Sequence, residues 1–241
     1  MARFAAIGVD ADDTLWHNEP LYQQAQAVLA QGLAGRLDEA ETRARLLATE
    51  HRNVELYGYG IKSFVLSMIE VTVEAYDGVV PRKTLRGILD AGREMLEAPV
   101  ELLPGVEIAL QRLAETHELW LITKGDLRDQ RVKLERSGLE GLFAHIDIVV
   151  DKTPATYDGL LRRRGVAPRR FVMIGNSPRS DVEPVIAVGA TAVLVPYHIL
   201  WEHEDGAKES GDDLRFHTVG TFSEVPPLIE RLEACIEARA L

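Results

Sequence analysis

The chain has 241 residues, of which 46% are hydrophobic and 27% charged, so it can build the core of an ordinary globular protein. Its formal net charge of −11 argues against a nucleic acid or an anionic membrane surface as a partner. Its single cysteine, Cys235, excludes an internal disulfide, and no apolar run is long enough to predict a membrane-spanning helix. We therefore expect a soluble protein of the reducing cytoplasm, with Cys235 on the apolar face of a terminal helix.

Short apolar runs rich in branched residues recur along the chain, and amphipathic helical patterns separate the later ones. Continuous runs of this kind, alternating with helices, predict parallel strands that are buried on both faces. We predict an α/β fold with a Rossmann-like, doubly wound parallel sheet. The predicted strands are residues 4–9, 119–123, 146–150, 171–174 and 192–195, with an edge strand near 216–219 and a closing helix near 227–239.

A purely helical segment follows the first strand, over residues 18–99. Its apolar residues recur every three or four positions, as on one face of a helix. Asp38 with Glu41 resembles a capping box, and Pro81 is suited to the start of the last helix. We therefore predict two domains: an α/β core formed by residues 1–17 and 100–241, and an inserted all-helical domain formed by residues 18–99.

Polar residues follow the predicted strands, at the points where the strands end. Because the carboxyl ends of parallel strands meet at one edge of a sheet, we expect these side chains to converge there. In chain order they are Asp10, Asp12 and Thr14; Thr123 and Lys124; Lys152; and Asn176, Ser177 and Asp181.

These residue types suit phosphoryl transfer assisted by a metal. Residues two apart on leaving a strand project the same way, so Asp10 and Asp12 can face one site. Carboxylate and amide oxygens of Asp10, Asn176 and Asp181 are the ligands that Mg²⁺ prefers. A carboxylate can attack phosphorus while a second acid protonates the departing oxygen. Lys152 would balance the negative charge.

Two hydroxyl groups of this set, on Thr123 and Ser177, can donate hydrogen bonds to phosphoryl oxygens. Lys124 is a further candidate for contact with the substrate. The structural alternative is that the Asp10–Thr14 segment only caps the N-terminus of a helix, since Asp and Thr are favoured at the N-cap position. Four polar strand ends occurring together favour the site.

The stretches "DADDT", "LIT", "DK" and "GNSPRSD" occur in this order, and they resemble the four motifs of the haloacid dehalogenase (HAD) superfamily. The likeness covers the strand–helix part of the chain, and the helical insert lies where many members carry a cap. The resemblance implies that Asp10 is the nucleophile and a metal ligand, and that Asp12 is the general acid and base. It implies that the backbone carbonyl of Asp12 binds Mg²⁺.

By the same resemblance, Thr123 and Lys152 contact the phosphoryl group and Asp181 helps to hold the metal. Asn176 departs from the family pattern, which more often has an acid after the glycine. An amide oxygen can still bind Mg²⁺, but the site then carries one negative charge less. The resemblance therefore implies weaker metal binding at this site, or a larger share of it resting on Asp181.

In capped members of the superfamily a cap loop often selects the substrate. The glycine-containing stretch "LYGYGIKSF" at residues 56–64 is the candidate here, with Tyr57, Tyr59 and Lys62 as substrate-binding residues. The alternative is a plain turn between two helices. The sequence assigns no role to four further polar or aromatic residues, His17, His198, Trp201 and His203.

We expect a Mg²⁺-dependent phosphatase that hydrolyses a small soluble phosphomonoester through an aspartyl-phosphate. Dehalogenating members typically lack an acid at the place of Asp12, so its presence favours oxygen as the leaving atom. A 2-haloacid dehalogenase, a phosphomutase and a non-catalytic binding protein of the same fold remain alternatives. The expected partner is a small-molecule phosphate ester, with no nucleic acid and no membrane, and the sequence leaves a homodimer open.

Overall fold

The computed structural model describes residues 4–76, 78–198 and 214–239. The chain divides into two compact units, which we call the α/β unit and the helical unit. The α/β unit consists of the described residues of Met1–His17, Val100–Lys124 and Lys133–Leu241, and the helical unit of those of Asn18–Pro99 and Gly125–Val132.

The described regular elements begin with a strand and a run of helices, after which helices and strands mostly alternate. They are β1 (Ala6–Val9), α1 (Glu19–Leu33), α2 (Glu39–Tyr57), α3 (Ile61–Ala75), α4 (Arg82–Glu97), α5 (Val106–Ala114), β2 (Glu118–Lys124), α6 (Leu127–Ser137), β3 (His145–Val149), α7 (Pro154–Arg164), β4 (Phe171–Gly175), α8 (Glu183–Ala187), β5 (Thr191–Leu194), β6 (Phe216–Thr218) and α9 (Val225–Arg239).

The α/β unit is built on a six-stranded sheet with the order β3-β2-β1-β4-β5-β6, in which every neighbouring pair is parallel. Successive residues of a strand point to opposite faces. Ile7, Val9 and Leu121 thus join one apolar cluster, whereas Ala6 and Trp120 join another. Because both faces of the sheet are covered at its centre, β1 and β4 are buried along their whole length, and the predicted fold class is confirmed.

The helical unit packs α1 to α4 around an apolar cluster that includes Leu29, Phe64, Met68 and Ile88. The expected helix cap is present, since the Asp38 side chain accepts a hydrogen bond from the backbone N–H of Glu41 (2.8 Å). No helix among the described residues is both long and apolar enough to cross a membrane.

Residues 125–132 group with the helical unit, whereas the sequence pattern predicts them in the α/β core. The physical reason is a set of polar contacts with the start of α3. Lys62 Nζ lies 2.8 Å from Asp126 Oδ1 and 3.0 Å from Asp129 Oδ1. These partners are more than 60 residues apart in sequence, and the pattern of strands and helices does not reveal such a contact.

Two other expectations concern the carboxyl-terminal part of the chain. Cys235 is exposed, so its expected place on the apolar face of the last helix is wrong. Trp201 and His203 lie outside the described residues.

Candidate active site

Asp10 follows β1 directly, and its backbone N–H donates to the carbonyl of Ile174 in the neighbouring strand β4 (2.9 Å). The hydroxyl of Thr14 lies 3.1 Å from Asp10 Oδ2 and 3.2 Å from Asn176 Oδ1, within hydrogen-bonding distance of both. Asp10 and Asn176 are 166 positions apart in sequence, and this hydroxyl lies between their side chains. Thr14 therefore ties the end of β1 to the end of β4.

Lys152 lies between β3 and α7, just before Thr153, whose side chain caps α7. Its ammonium group contacts the carboxylate of Asp10 and lies 2.7 Å from Asp181 Oδ1. The Lys152 and Asp181 side chains are both 1% exposed. One lysine therefore joins two buried carboxylates.

Asp181 is carried by a single π-helical turn, Pro178–Val182, a rare element that is frequent at functional sites. Ser177 caps this turn by accepting from the backbone N–H of Ser180 (3.0 Å), and its own N–H donates to Asp181 Oδ2 (3.1 Å). A Cβ atom on Gly175 would overlap the Asp181 carboxylate. Only glycine therefore allows Asp181 to approach the end of β4.

The electrostatics of this cluster are those of two carboxylates that share one cation. The pKa of Asp10 is raised from 3.8 to about 7, because burial, together with the charges of Asp181 and Asp12, outweighs the opposing effect of Lys152. Burial alone would lower the pKa of Lys152, but the charges of Asp10 and Asp181 hold it above its ordinary range. Lys152 is therefore charged at neutral pH. An additional cation beside Asp10 would favour its ionised form.

Asp12 lies in the same loop as Asp10 but has different partners. Its Oδ1 accepts from Trp16 Nε1 (2.6 Å) and from Lys133 Nζ (2.9 Å). Asp13 adopts a left-handed backbone conformation (φ 59°), and its N–H donates to the carbonyl of Trp16 (2.8 Å). The loop is therefore a tight turn that directs Asp12 toward Lys133.

Thr123 and Lys124 end β2, the other strand beside β1. Thr123 is buried, and its hydroxyl donates to the carbonyl of Lys124 (3.4 Å). Lys124 Nζ donates to the hydroxyl of Ser180 (2.8 Å) and lies 3.9 Å from Asp151 Oδ1. Lys124 thus contacts the turn that carries Asp181, and both residues stay candidates for substrate binding.

The three remaining candidates, Tyr57, Tyr59 and Lys62, belong to the helical unit. Tyr57 ends α2 and is 57% exposed, and Tyr59 lies between two glycines with positive φ, as expected for a break between helices. Lys62 pairs with Asp126 and Asp129, whose hydrogen bonds raise its pKa against the effect of burial. Their contact with substrate stays a prediction.

His17 and His198, to which the sequence assigned no role, are close together in the α/β unit. His17 Nδ1 lies 2.5 Å from the hydroxyl of Tyr197, and the ring of Tyr197 packs against that of His198, with centroids 4.3 Å apart. Tyr197 follows β5, so the cluster lies at the edge of the sheet where the strands end. Sequence reasoning did not single out Tyr197.

The haloacid dehalogenase-like hydrolase model matches residues 4–189. A solved haloacid dehalogenase-like family hydrolase from Xanthomonas campestris is 38% identical to this chain, with a TM-score of 0.88 over 99% of this chain and 95% of that one. This chain belongs to the haloacid dehalogenase-like hydrolase family. The resemblance of its four motifs to that family is thereby confirmed. A search of the curated proteins finds no significant match.

More distant HAD structures share the fold without deciding the reaction. A predicted phosphoglycolate phosphatase from Haemophilus somnus 129pt is 17% identical (TM-score 0.62, covering 95% of this chain and 99% of that chain). A 2-haloacid dehalogenase from Pseudomonas syringae pv. Tomato DC3000 is 21% identical (TM-score 0.63, covering 96% and 100%). Two different reactions are therefore compatible with this architecture, and the side chains must discriminate between them.

The donor set of this HAD hydrolase fits Mg²⁺. Thr14 lies between oxygens of Asp10 and Asn176, and Lys152 joins Asp10 to Asp181, so three side-chain oxygen donors converge. They would hold the ion together with the backbone carbonyl of Asp12. Among the described residues no three His, Cys, Asp or Glu side chains group as a metal site. A bound ion would therefore also need the amide oxygen of Asn176 and the backbone oxygen of Asp12, which suit a hard cation.

Three residues near this HAD site were missed or undervalued by the sequence analysis. Neither Lys133 nor Trp16 was proposed as a site residue, and Gly175 was noted only as part of a motif. A glycine at the very end of a buried strand is a usable signal of close approach. No local signal identifies Lys133, because its partner is 121 residues away.

Proposed function

We propose that this hydrolase is a Mg²⁺-dependent phosphatase that acts on a small soluble phosphomonoester through an aspartyl-phosphate. The observation that carries the proposal is the second carboxylate, Asp12, held in the loop of Asp10 by hydrogen bonds from Trp16 and Lys133. A departing alkoxide requires a proton, whereas a departing halide does not. A placed acid is therefore useful for ester cleavage and superfluous for dehalogenation.

In the first step a carboxylate oxygen of Asp10 forms a bond to phosphorus as the bond to the ester oxygen breaks. Asp12 gives its proton to that oxygen, and the alcohol leaves. In the second step Asp12 takes a proton from water, which attacks the aspartyl-phosphate and releases phosphate. Lys152 keeps Asp10 in place and offsets its charge. When bound, Mg²⁺ would supply further positive charge beside the phosphoryl oxygens.

The substrate contacts follow from the same reasoning and are part of the proposal. Thr123, Lys124, Lys152 and Ser177 bind the phosphoryl group. Tyr57, Tyr59 and Lys62 select the rest of the substrate. The cytoplasmic location remains a prediction of the sequence, which leaves a homodimer open.

The first experiment measures phosphate released from 4-nitrophenyl phosphate with Mg²⁺ and with EDTA. We expect activity only with Mg²⁺, and its loss in Asp10→Asn, because an amide cannot form the aspartyl-phosphate. A screen of phosphorylated metabolites then identifies the substrate. Thermal unfolding of each variant establishes that the protein is folded.

The competing reactions give different products in the same design. Chloride released from 2-chloropropionate, without phosphatase activity, would establish a dehalogenase. Movement of phosphate within a sugar phosphate, without its release, would establish a phosphomutase. A folded protein that is inactive on all of these substrates would favour a binding role.

A further inference from the structure

The carboxylate of Asp12 is held by donors from two separate parts of the α/β unit. Trp16 Nε1 donates to Oδ1 at 2.6 Å, and Lys133 Nζ lies 2.9 Å from Oδ1 and 3.1 Å from Oδ2. Two donors on one oxygen, with the lysine reaching the second oxygen as well, define the plane of the carboxylate. This arrangement restricts rotation of the Asp12 side chain.

Both donors are themselves restrained. Trp16 is 1% exposed, and the carbonyl of its neighbour Leu15 accepts from the N–H of Leu103 (2.9 Å). Lys133 lies on α6, and its side chain is only 15% exposed, against 23% for Asp12. A largely shielded pair of this kind is screened less by solvent than a surface ion pair. The contact therefore holds Asp12 more firmly than a surface lysine could.

We infer that Lys133 is a positioning residue for the proton transfer by Asp12. The inference rests on the proposed phosphatase reaction, in which Asp12 gives its proton to the ester oxygen as that oxygen leaves phosphorus. Lys133 does not exchange a proton in this step; it sets the direction in which the Asp12 carboxyl group faces. Proton transfer requires hydrogen-bonding distance, so a small rotation of Asp12 slows it severely.

A lysine that only stabilised the fold would have a different signature. Loss of such a lysine lowers the amount of active enzyme, and every substrate then loses rate by the same factor. Loss of a positioning lysine lowers the hydrolysis rate most for substrates whose leaving group must be protonated. The ratio of rates on two substrates separates these cases, because it does not depend on the folded fraction.

The experiment compares kcat/KM for 4-nitrophenyl phosphate and 4-methylphenyl phosphate in wild type and in Lys133→Met. The two esters are similar in size, but 4-methylphenol is the much weaker acid and leaves only with a proton. We expect kcat/KM to fall about 30- to 100-fold for the 4-methylphenyl ester and less than about fivefold for the 4-nitrophenyl ester. The change should be in kcat rather than in KM.

Three further variants make the result specific. Lys133→Arg keeps a cationic donor and should bring the ratio of kcat/KM on the two esters part of the way back to the wild-type value. Arg136→Met removes a positive charge from an exposed position of the same helix and should leave the ratio unchanged. In an Asp12→Ala background, Lys133→Met should change the ratio no further, because the group that it positions is gone.

Equal losses on the two esters in Lys133→Met would overturn the inference, and so would a further change of the ratio in the Asp12→Ala background. Neither result would affect the proposed phosphatase, since wild type would still hydrolyse both esters. A folded wild type that hydrolyses neither ester would contradict the phosphatase proposal, and the inference with it.

Discussion

A buried ionic cluster of the α/β unit contrasts with two surface ion pairs of the helical unit. In the α/β unit, Asp10, Lys152 and Asp181 form a buried cluster in which two carboxylates share one lysine. In the helical unit, the ion pairs between Arg45 and Glu41 and between Arg52 and Glu70 lie on the surface. Buried charge is costly, and surface pairs contribute little. The difference indicates that the buried cluster is kept for chemistry rather than for stability.

The largest expected effect concerns Lys152. We expect Lys152→Met to lower the free energy of unfolding by about 3–5 kcal/mol without metal, because two buried carboxylates lose their shared cation. Turnover of 4-nitrophenyl phosphate should be lost as well. Urea unfolding in EDTA measures the first effect. A loss below about 1 kcal/mol would mean that the cluster is well hydrated.

A smaller effect of opposite sign is expected for Asp10→Asn. The pKa of Asp10 is about 7 in the folded protein and near 3.8 when unfolded, so the folded form binds the proton more tightly. Without metal, wild type therefore loses stability as the pH rises through this interval, by about 1 kcal/mol per pH unit. Asp10→Asn lacks this pH-dependent loss, so the amount by which its melting temperature exceeds that of wild type should grow between about pH 4 and pH 7 and level off at higher pH.

The comparison of melting temperatures needs EDTA, because a bound cation would favour the ionised carboxylate of wild type. A gap between the two proteins that stays constant with pH would contradict the raised pKa of Asp10. Adding Mg²⁺ at pH 8 should narrow the gap or reverse it.

Gly175→Ala tests the close packing of the cluster. The added methyl group would overlap the Asp181 carboxylate, which must then move away from Lys152. We expect a loss of stability of about 1–3 kcal/mol and a larger loss of activity, by about 100-fold. Gly141→Ala is the matched control, since its Cβ would meet no neighbour. Unchanged kcat/KM in Gly175→Ala would show that the position of Asp181 is not critical.

The smallest effect is expected for Lys62→Met, which removes a lysine with two carboxylate partners from the helical unit. Because the Lys62 side chain is 52% exposed, we expect a change below about 1 kcal/mol in the same urea experiment. The contrast with Lys152→Met tests whether burial causes the larger loss of unfolding free energy in that variant. A rise in KM for the natural substrate would support Lys62 as a binding residue, and a stability loss equal to that of Lys152→Met would break the comparison.

Much of the fold and of the buried cluster was predicted from local patterns. Apolar runs separated by helical periodicity led to the parallel sheet, and the ends of β1, β3 and β4 are followed by Asp10, Lys152 and Asn176. The prediction succeeds because parallel strands end at one edge of the sheet, so a residue that follows a strand directly must lie near that edge. The position of a residue just after a strand was therefore enough to predict its place at the edge of the sheet.

The partners of these residues depended on tertiary structure. Lys133 reaches Asp12 from a helix 121 residues away, and residues 125–132 join the helical unit through Lys62. Helical periodicity defines which face of a helix is apolar, but it leaves the contacts of each polar residue undetermined. The sequence by itself determined which groups could do the chemistry. Only the folded chain decided what holds them, because those contacts join residues far apart in sequence.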